Sequence, residues 1–119
     1  MEFNTNTPIY IQIMDEVKRL IVIGQYNCND QIPPVRELAI TFGVNPNTVQ
    51  RALSELERDG LLISERTNGR FVTNDPAIIK NLKERILNDK IDQFIFDVKE
   101  FQFDTDELLY RLKEKLQHE

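Results

Sequence analysis

Apolar residues recur at helical spacing three times in the first 60 positions of this chain, and each recurrence carries its own start and stop signals. Ile9, Ile13, Val17, Leu20 and Ile21 fall on one face of a helix. Thr7-Pro8 opens it, with a hydroxyl to cap free N–H groups and proline at the first helical position; Gly24 stops it. A second helix follows Pro33-Pro34, with Val35, Leu38, Ala39 and Phe42 on one face and Gly43 at its end. A third opens at Asn45-Pro46, points Val49, Ala52, Leu53 and Leu56 one way and closes at Gly60. Only Gly43, Val44 and the capping Asn45 separate the second helix from the third, which predicts a helix-turn-helix.

The period then changes. The runs 61–65 and 70–73 are β-prone and flank Thr67-Asn68-Gly69, where Asn-Gly supplies the positive φ angles of a tight hairpin turn. A hairpin directly behind a helix-turn-helix is a wing. Asp75-Pro76 then caps a longer helix over roughly 76–102, with Ile79, Leu82, Ile86, Phe94, Val98 and Phe101 at threes and fours and one weak turn around Asp89. Asp104-Thr105-Asp106-Glu107 has the form of a capping box, the glutamate reaching back to the cap, and opens a last helix with the stripe Leu108, Leu109, Leu112 and Leu116. The predicted fold is mainly α with a small β-hairpin: a winged helix-turn-helix DNA-binding domain over residues 1–74 and a two-helix dimerisation tail over 75–119.

The tail is too short to bury a core alone, so its apolar faces need the winged domain or a second subunit. Phe94, Phe96, Phe101 and Phe103 make self-association the favoured cover. The predicted dimer interface comprises Leu82, Ile86, Phe94, Val98, Phe101, Leu108 and Leu112. The alternative use of the Phe cluster is a pocket for an unidentified small-molecule effector.

Composition narrows the chemistry. The 119 residues, 40% hydrophobic and 29% charged, suit one domain with a short appendage. Cys28 is the one cysteine, so no intrachain disulfide forms; a reducing, cytoplasmic setting is expected, with Cys28 an inert thiol beside no cation. His118 is the one histidine, near the end of the chain, and reads as a frayed terminal residue rather than a ligand. No nucleophile stands beside a base, so the expectation is no enzyme, no metal and no cofactor. No run of 18 apolar residues and no basic-then-apolar leader is present, so neither membrane span nor secretory signal is expected.

The net charge is −5. Residues 1–73 hold seven basic and nine acidic groups, the remainder eight and eleven. A DNA partner must therefore be held by a few placed cations, not by a general positive field. On the third helix the apolar face leaves Asn47, Gln50, Arg51 and Ser54 opposite. Asn and Gln pair bidentately with adenine and Arg with guanine from a helix in the major groove. Asn45 and Thr48 lie in its first turn, where amides and hydroxyls suit phosphate. Asn68, Gly69 and Arg70 at the wing tip are placed for backbone or minor groove.

The runs Pro8-Ile9-Tyr10-Ile11-Gln12-Ile13, Pro33-Pro34-Val35-Arg36-Glu37-Leu38-Ala39, Gly43-Val44-Asn45-Pro46-Asn47-Thr48-Val49-Gln50-Arg51-Ala52-Leu53 and Leu56-Glu57-Arg58-Asp59-Gly60-Leu61, with the wing ending Gly69-Arg70-Phe71-Val72, resemble the GntR family of bacterial transcription regulators. The short helical tail is similar to that of its YtrA-type branch, whose members dimerise through it. The resemblance implies a DNA contact at Arg36, whose ordinary alternative is a surface ion pair with Glu37 or another acid. It also implies transporter operons as targets. This sequence departs from the family at Cys28-Asn29-Asp30, where Pro-Gly-Asp is usual, at Pro34 for a capping Ser, at Thr67 for Gly, and at Arg70 for Thr. Arg70 adds a cation where the wing meets phosphate.

The expected function is a homodimeric, sequence-specific transcriptional repressor binding an inverted-repeat operator in double-stranded DNA. The other class left open is a winged-helix interaction module that does not bind DNA, which the acidic balance permits.

Overall fold

The computed structural model describes all 119 residues. In chain order the elements are α1 (Ile9–Val22), α2 (Val35–Phe42), α3 (Pro46–Arg58), β1 (Leu62–Glu65), β2 (Gly69–Val72), α4 (Pro76–Lys99) and α5 (Thr105–Gln117). They fall into two compact units, Met1–Lys83 and Glu84–Glu119.

The first unit is built around α3, which packs on α1, α2 and β1. Its Val49, Ala52, Leu53 and Leu56 are all buried, as the spacing predicts. With Ile13, Val17 and Ile21 of α1, Leu38, Ala39 and Phe42 of α2, and Leu61, Leu62 and Val72 at the base of the wing, they make up most of the buried interior of this unit. Burying each large aliphatic side chain contributes about 1.5–3 kcal/mol. α3 starts where expected: Asn45 accepts the Asn47 N–H at 2.8 Å and Pro46 occupies the first turn. It stops where Gly60 turns left-handed, with the Leu61 N–H returning to the Leu56 carbonyl.

α1 opens differently from the sequence expectation. Pro8 has an extended backbone (φ −53°, ψ 142°) and stands at the cap, not the first helical position, and no side chain caps this helix. Instead of the Thr7 hydroxyl, the Gln12 amide ties the entry, donating to the Thr7 carbonyl at 2.7 Å and the Asn4 carbonyl at 2.9 Å.

The loop before α2 supplies an unexpected part. Asn29 adopts φ +67°, a left-handed conformation that Asn tolerates better than most residues. Asp30 accepts the Asn27 N–H and returns its own N–H to the Asn27 carbonyl, closing the turn. The following residues then run along the free edge of β2. The Asn29 N–H donates to the Val72 carbonyl, the Val72 N–H to Asp30, and the Ile32 N–H to Arg70, with Gln31 bridging Phe71. The two-stranded wing thus gains a short third edge.

Within the wing, Leu62 pairs with Val72 and Glu65 with Gly69, leaving Arg66, Thr67 and Asn68 as the loop. Only Gly69 has positive φ, at +94°; Asn68 does not. The loop is a turn closed by the Asn68 N–H on the Glu65 carbonyl and followed by glycine, rather than an Asn-Gly two-residue turn.

Asp75 accepts the Ala77 N–H at 3.0 Å and so caps α4, which ends at Lys99, three residues before the expected 102; Gln102 beyond it has φ +53°. The first unit extends to Lys83, past the predicted boundary at 74, and Leu82 is buried at 6% exposure. Leu82 therefore belongs to the folded interior, a correction to its placement in an uncovered dimer face. From Lys83 onward no residue is buried. Ile86, Phe94, Val98, Leu108 and Leu112 are half-buried and Phe101 is exposed. Leu87, Ile91 and Ile95 form a second row at i, i+4 that the sequence stripe omitted, and all three are exposed. α5 begins with half a capping box: Asp104 accepts the Glu107 N–H at 3.2 Å, but the Glu107 carboxylate turns forward to Arg111. No helix is long and apolar enough to cross a membrane.

Candidate nucleic-acid interface

The face of α3 opposite the core presents Asn47, Gln50, Arg51 and Ser54, all exposed, and Thr48 half-buried in the first turn. Gln50 donates from Nε2 to the Ser54 hydroxyl at 3.2 Å, one helical turn on. The Asn45 carboxamide oxygen is used by the helix itself, which leaves its NH2 group for an outside acceptor. Arg36 lies in the first turn of α2 and is exposed. The ion pairs of the chain are Arg19–Glu16, Arg58–Glu55, Arg70–Glu57, Arg111–Glu107 and His118–Glu114. Arg36 is in none of them, so the alternative of a surface ion pair, with Glu37 or another acid, is not adopted.

Arg51 has no carboxylate partner either. The carbon at the centre of its guanidinium lies 3.8 Å from the centroid of the Tyr10 ring, on α1. Sequence reading does not find Tyr10, because nothing in local spacing shows which residue of α1 meets which residue of α3.

The wing presents two arginines in different states. Arg70 was expected as a free cation for phosphate. Its side chain is only 16% exposed and its Nε donates to Glu57 of α3, which also accepts from the Ser64 hydroxyl at 3.3 Å. Arg66, in the loop beside the expected Asn68 and Gly69, is exposed and unpaired. It is the wing's available cation, and in the sequence it flanks Thr67-Asn68-Gly69 on the side opposite Arg70. Gln31 fastens the loop by donating from Nε2 to the Asn68 carbonyl. Between wing and α2, Gln31–Val35 and Ser64–Arg70 line an open groove of about 480 Å³.

Arg36, Arg51 and Arg66 are thus three unpaired cations on α2, α3 and the wing. Helix α3 sits in the second-helix position of a helix-turn-helix with a hairpin behind it, which defines a winged helix-turn-helix protein. The chain belongs to the gntR family of bacterial regulatory proteins, whose profile matches residues 9–72.

Two Bacillus subtilis (strain 168) relatives bear this out. The chain is 35% identical to the uncharacterized HTH-type transcriptional regulator YhcF over 94% of its own length and 93% of YhcF. It is 36% identical to the HTH-type transcriptional repressor YtrA over 78% of its length and 72% of YtrA. Among solved structures, a GntR family transcriptional regulator from Listeria monocytogenes superposes with a TM-score of 0.87 at 32% identity, covering 94% of this chain and 98% of that one. The DNA-binding domain of AraR in complex with operator ORR3 matches 61% of this chain and 88% of its own, with a TM-score of 0.56 at 32% identity.

Proposed function

We propose that this chain is a cytoplasmic homodimeric repressor that binds an inverted-repeat operator in double-stranded DNA. The observation that carries the reading is α3 itself: one face wholly consumed by the core, the other offering Asn47, Gln50 and Arg51 with an unpaired charge. Laid in a major groove, that face supplies bidentate partners for adenine and guanine. Asn45 and Thr48 address phosphate from the helix start, Arg36 joins from α2, and the loop Arg66–Gly69 reaches backbone or minor groove. Arg70 acts from behind, as a strut.

Dimerisation is supported by the uncovered tail. A unit with no buried residue and exposed Leu87, Ile91, Ile95, Phe96 and Phe101 leaves apolar surface in water at about 25 cal/mol per Å². Packing against its own copy around a two-fold axis removes that cost and sets two reading heads for a palindrome. The named relatives are transcriptional regulators, one a repressor, and the resemblance to the YtrA-type branch supports a transporter operon as target.

A gel shift on the chain's own promoter region, across a salt series, tests the reading. Binding that weakens steeply with salt and is competed poorly by scrambled DNA is expected. Loss of Arg36, Gln50 and Arg51 together without effect on operator affinity would overturn it.

A further inference from the structure

Arg51 is exposed on the outer face of α3 and, unlike Arg70, is held by something other than a charge. A carboxylate partner would fix its position but consume N–H donors and cancel charge, as Glu57 does for Arg70. A ring face does neither. With its guanidinium carbon 3.8 Å above the centroid of Tyr10, Arg51 is attracted by the ring quadrupole while its donors stay free at the edge of the plane. Tyr10 is half-buried in the first turn of α1, and α1 packs on α3 with Ile13, Val17 and Ile21 as its buried residues.

We infer that Tyr10 is a positioning residue for base readout, presetting the Arg51 fork for a guanine edge in the major groove. This rests on the DNA-binding reading of α3 proposed above. A free arginine side chain loses rotamer freedom when it docks, and presetting it recovers about three- to tenfold in affinity. The recovered affinity is confined to sites carrying the base that Arg51 reads, because a preset donor fork facing the wrong base gains nothing. Tyr10 thereby sharpens specificity without touching that base.

The test uses full-length protein and an operator selected from random-sequence DNA. Binding isotherms are measured for Tyr10→Phe, Tyr10→Leu, Arg51→Ala and the Tyr10→Leu/Arg51→Ala double variant, on the operator and on its single-base variants, with thermal midpoints alongside. Tyr10→Phe keeps the ring and should bind within twofold of the parent. Tyr10→Leu should lose three- to tenfold and flatten discrimination at the one position per half-site that Arg51→Ala also flattens, and it should add no loss once Arg51 is gone. Equal losses for Phe and Leu would assign the effect to the hydroxyl and overturn the inference. A Leu loss that persists in full without Arg51 would overturn it as well, while leaving the DNA reading intact. An Arg51→Ala protein with unchanged operator affinity and base preference would overturn the inference alone, leaving the DNA reading of α3 to Gln50 and Arg36.

Discussion

Arg70, on the second wing strand, donates its Nε to Glu57 in the last turn of α3, joining the wing to the reading helix through a part-buried ion pair. Because both side chains are less than one-third exposed, the pair is not an ordinary surface bridge. Removing one partner leaves the other desolvated and unsatisfied, so Arg70→Ala should lower stability by about 1–3 kcal/mol. The measurement is urea unfolding at constant m. A variant as stable as the parent would show that the pair is solvent-equivalent.

The same pairing separates the two wing cations in their effect on DNA. Arg66→Ala should reduce the slope of log affinity against log salt by about 0.9 per subunit, the signature of one lost phosphate contact. Arg70→Ala, with its charge already answered by Glu57, should change the slope by less than half as much. Isotherms at four or more salt concentrations decide it, and equal slopes for the two variants would put Arg70 on the DNA.

Gly69 holds φ +94°, where a side chain is strained, and a Cβ there would stand 3.0 Å from the Gln31 amide. Gly69→Ala should cost about 1–3 kcal/mol, chiefly as backbone strain, since the Gln31 side chain can yield. Faster amide exchange at Asn68 and Phe71, without change in α1, would confirm that the loss is confined to the wing.

Phe96→Asp or Ile91→Asp should leave the thermal midpoint of the first unit nearly unchanged, since neither residue is buried, while shifting the protein to monomer. Operator affinity should then fall at least tenfold, because two half-sites are no longer bound by one linked particle. Sedimentation equilibrium reports the mass. Dimers that persist with both residues charged would place self-association elsewhere.

Tyr26 is pushed above its ordinary value of 10.0, first by burial and then by the Glu37 carboxylate. The folded protein thus holds this proton more tightly than the unfolded chain. Stability from that preference is complete below pH 10.0 and is lost as pH rises through the folded value. Tyr26→Phe should flatten the alkaline limb of the stability profile and leave neutral stability otherwise similar. An unchanged limb would show that Tyr26 does not carry it.

Local chemistry determined most of the elements. Asn45-Pro46 starts α3 and Gly60 follows its end because caps, proline and left-handed glycine act over three or four residues, which a sequence displays directly. The stripe Val49, Ala52, Leu53, Leu56 named the buried face and, by exclusion, the reading face. Family-specific residues at both ends of the helix-turn-helix then identified its class. Some local details differ from expectation: Pro8 stands one position earlier, at the cap, Glu107 bonds forward to Arg111, and glycine alone turns the wing.

Only the tertiary structure decided the rest, because those relations join residues far apart in the chain. Asn29–Ile32 becomes a strand edge only when β2 arrives beside it. Leu82 is interior and Leu87 is not, though both are apolar residues of one helix, because burial depends on what lies opposite. Arg70 and Arg66 read alike in sequence, yet Glu57, 13 positions before Arg70, takes one and leaves the other free. Tyr10 meets Arg51 across the packing of α1 on α3, a contact whose partners are chosen by crossing geometry and not by spacing along the chain.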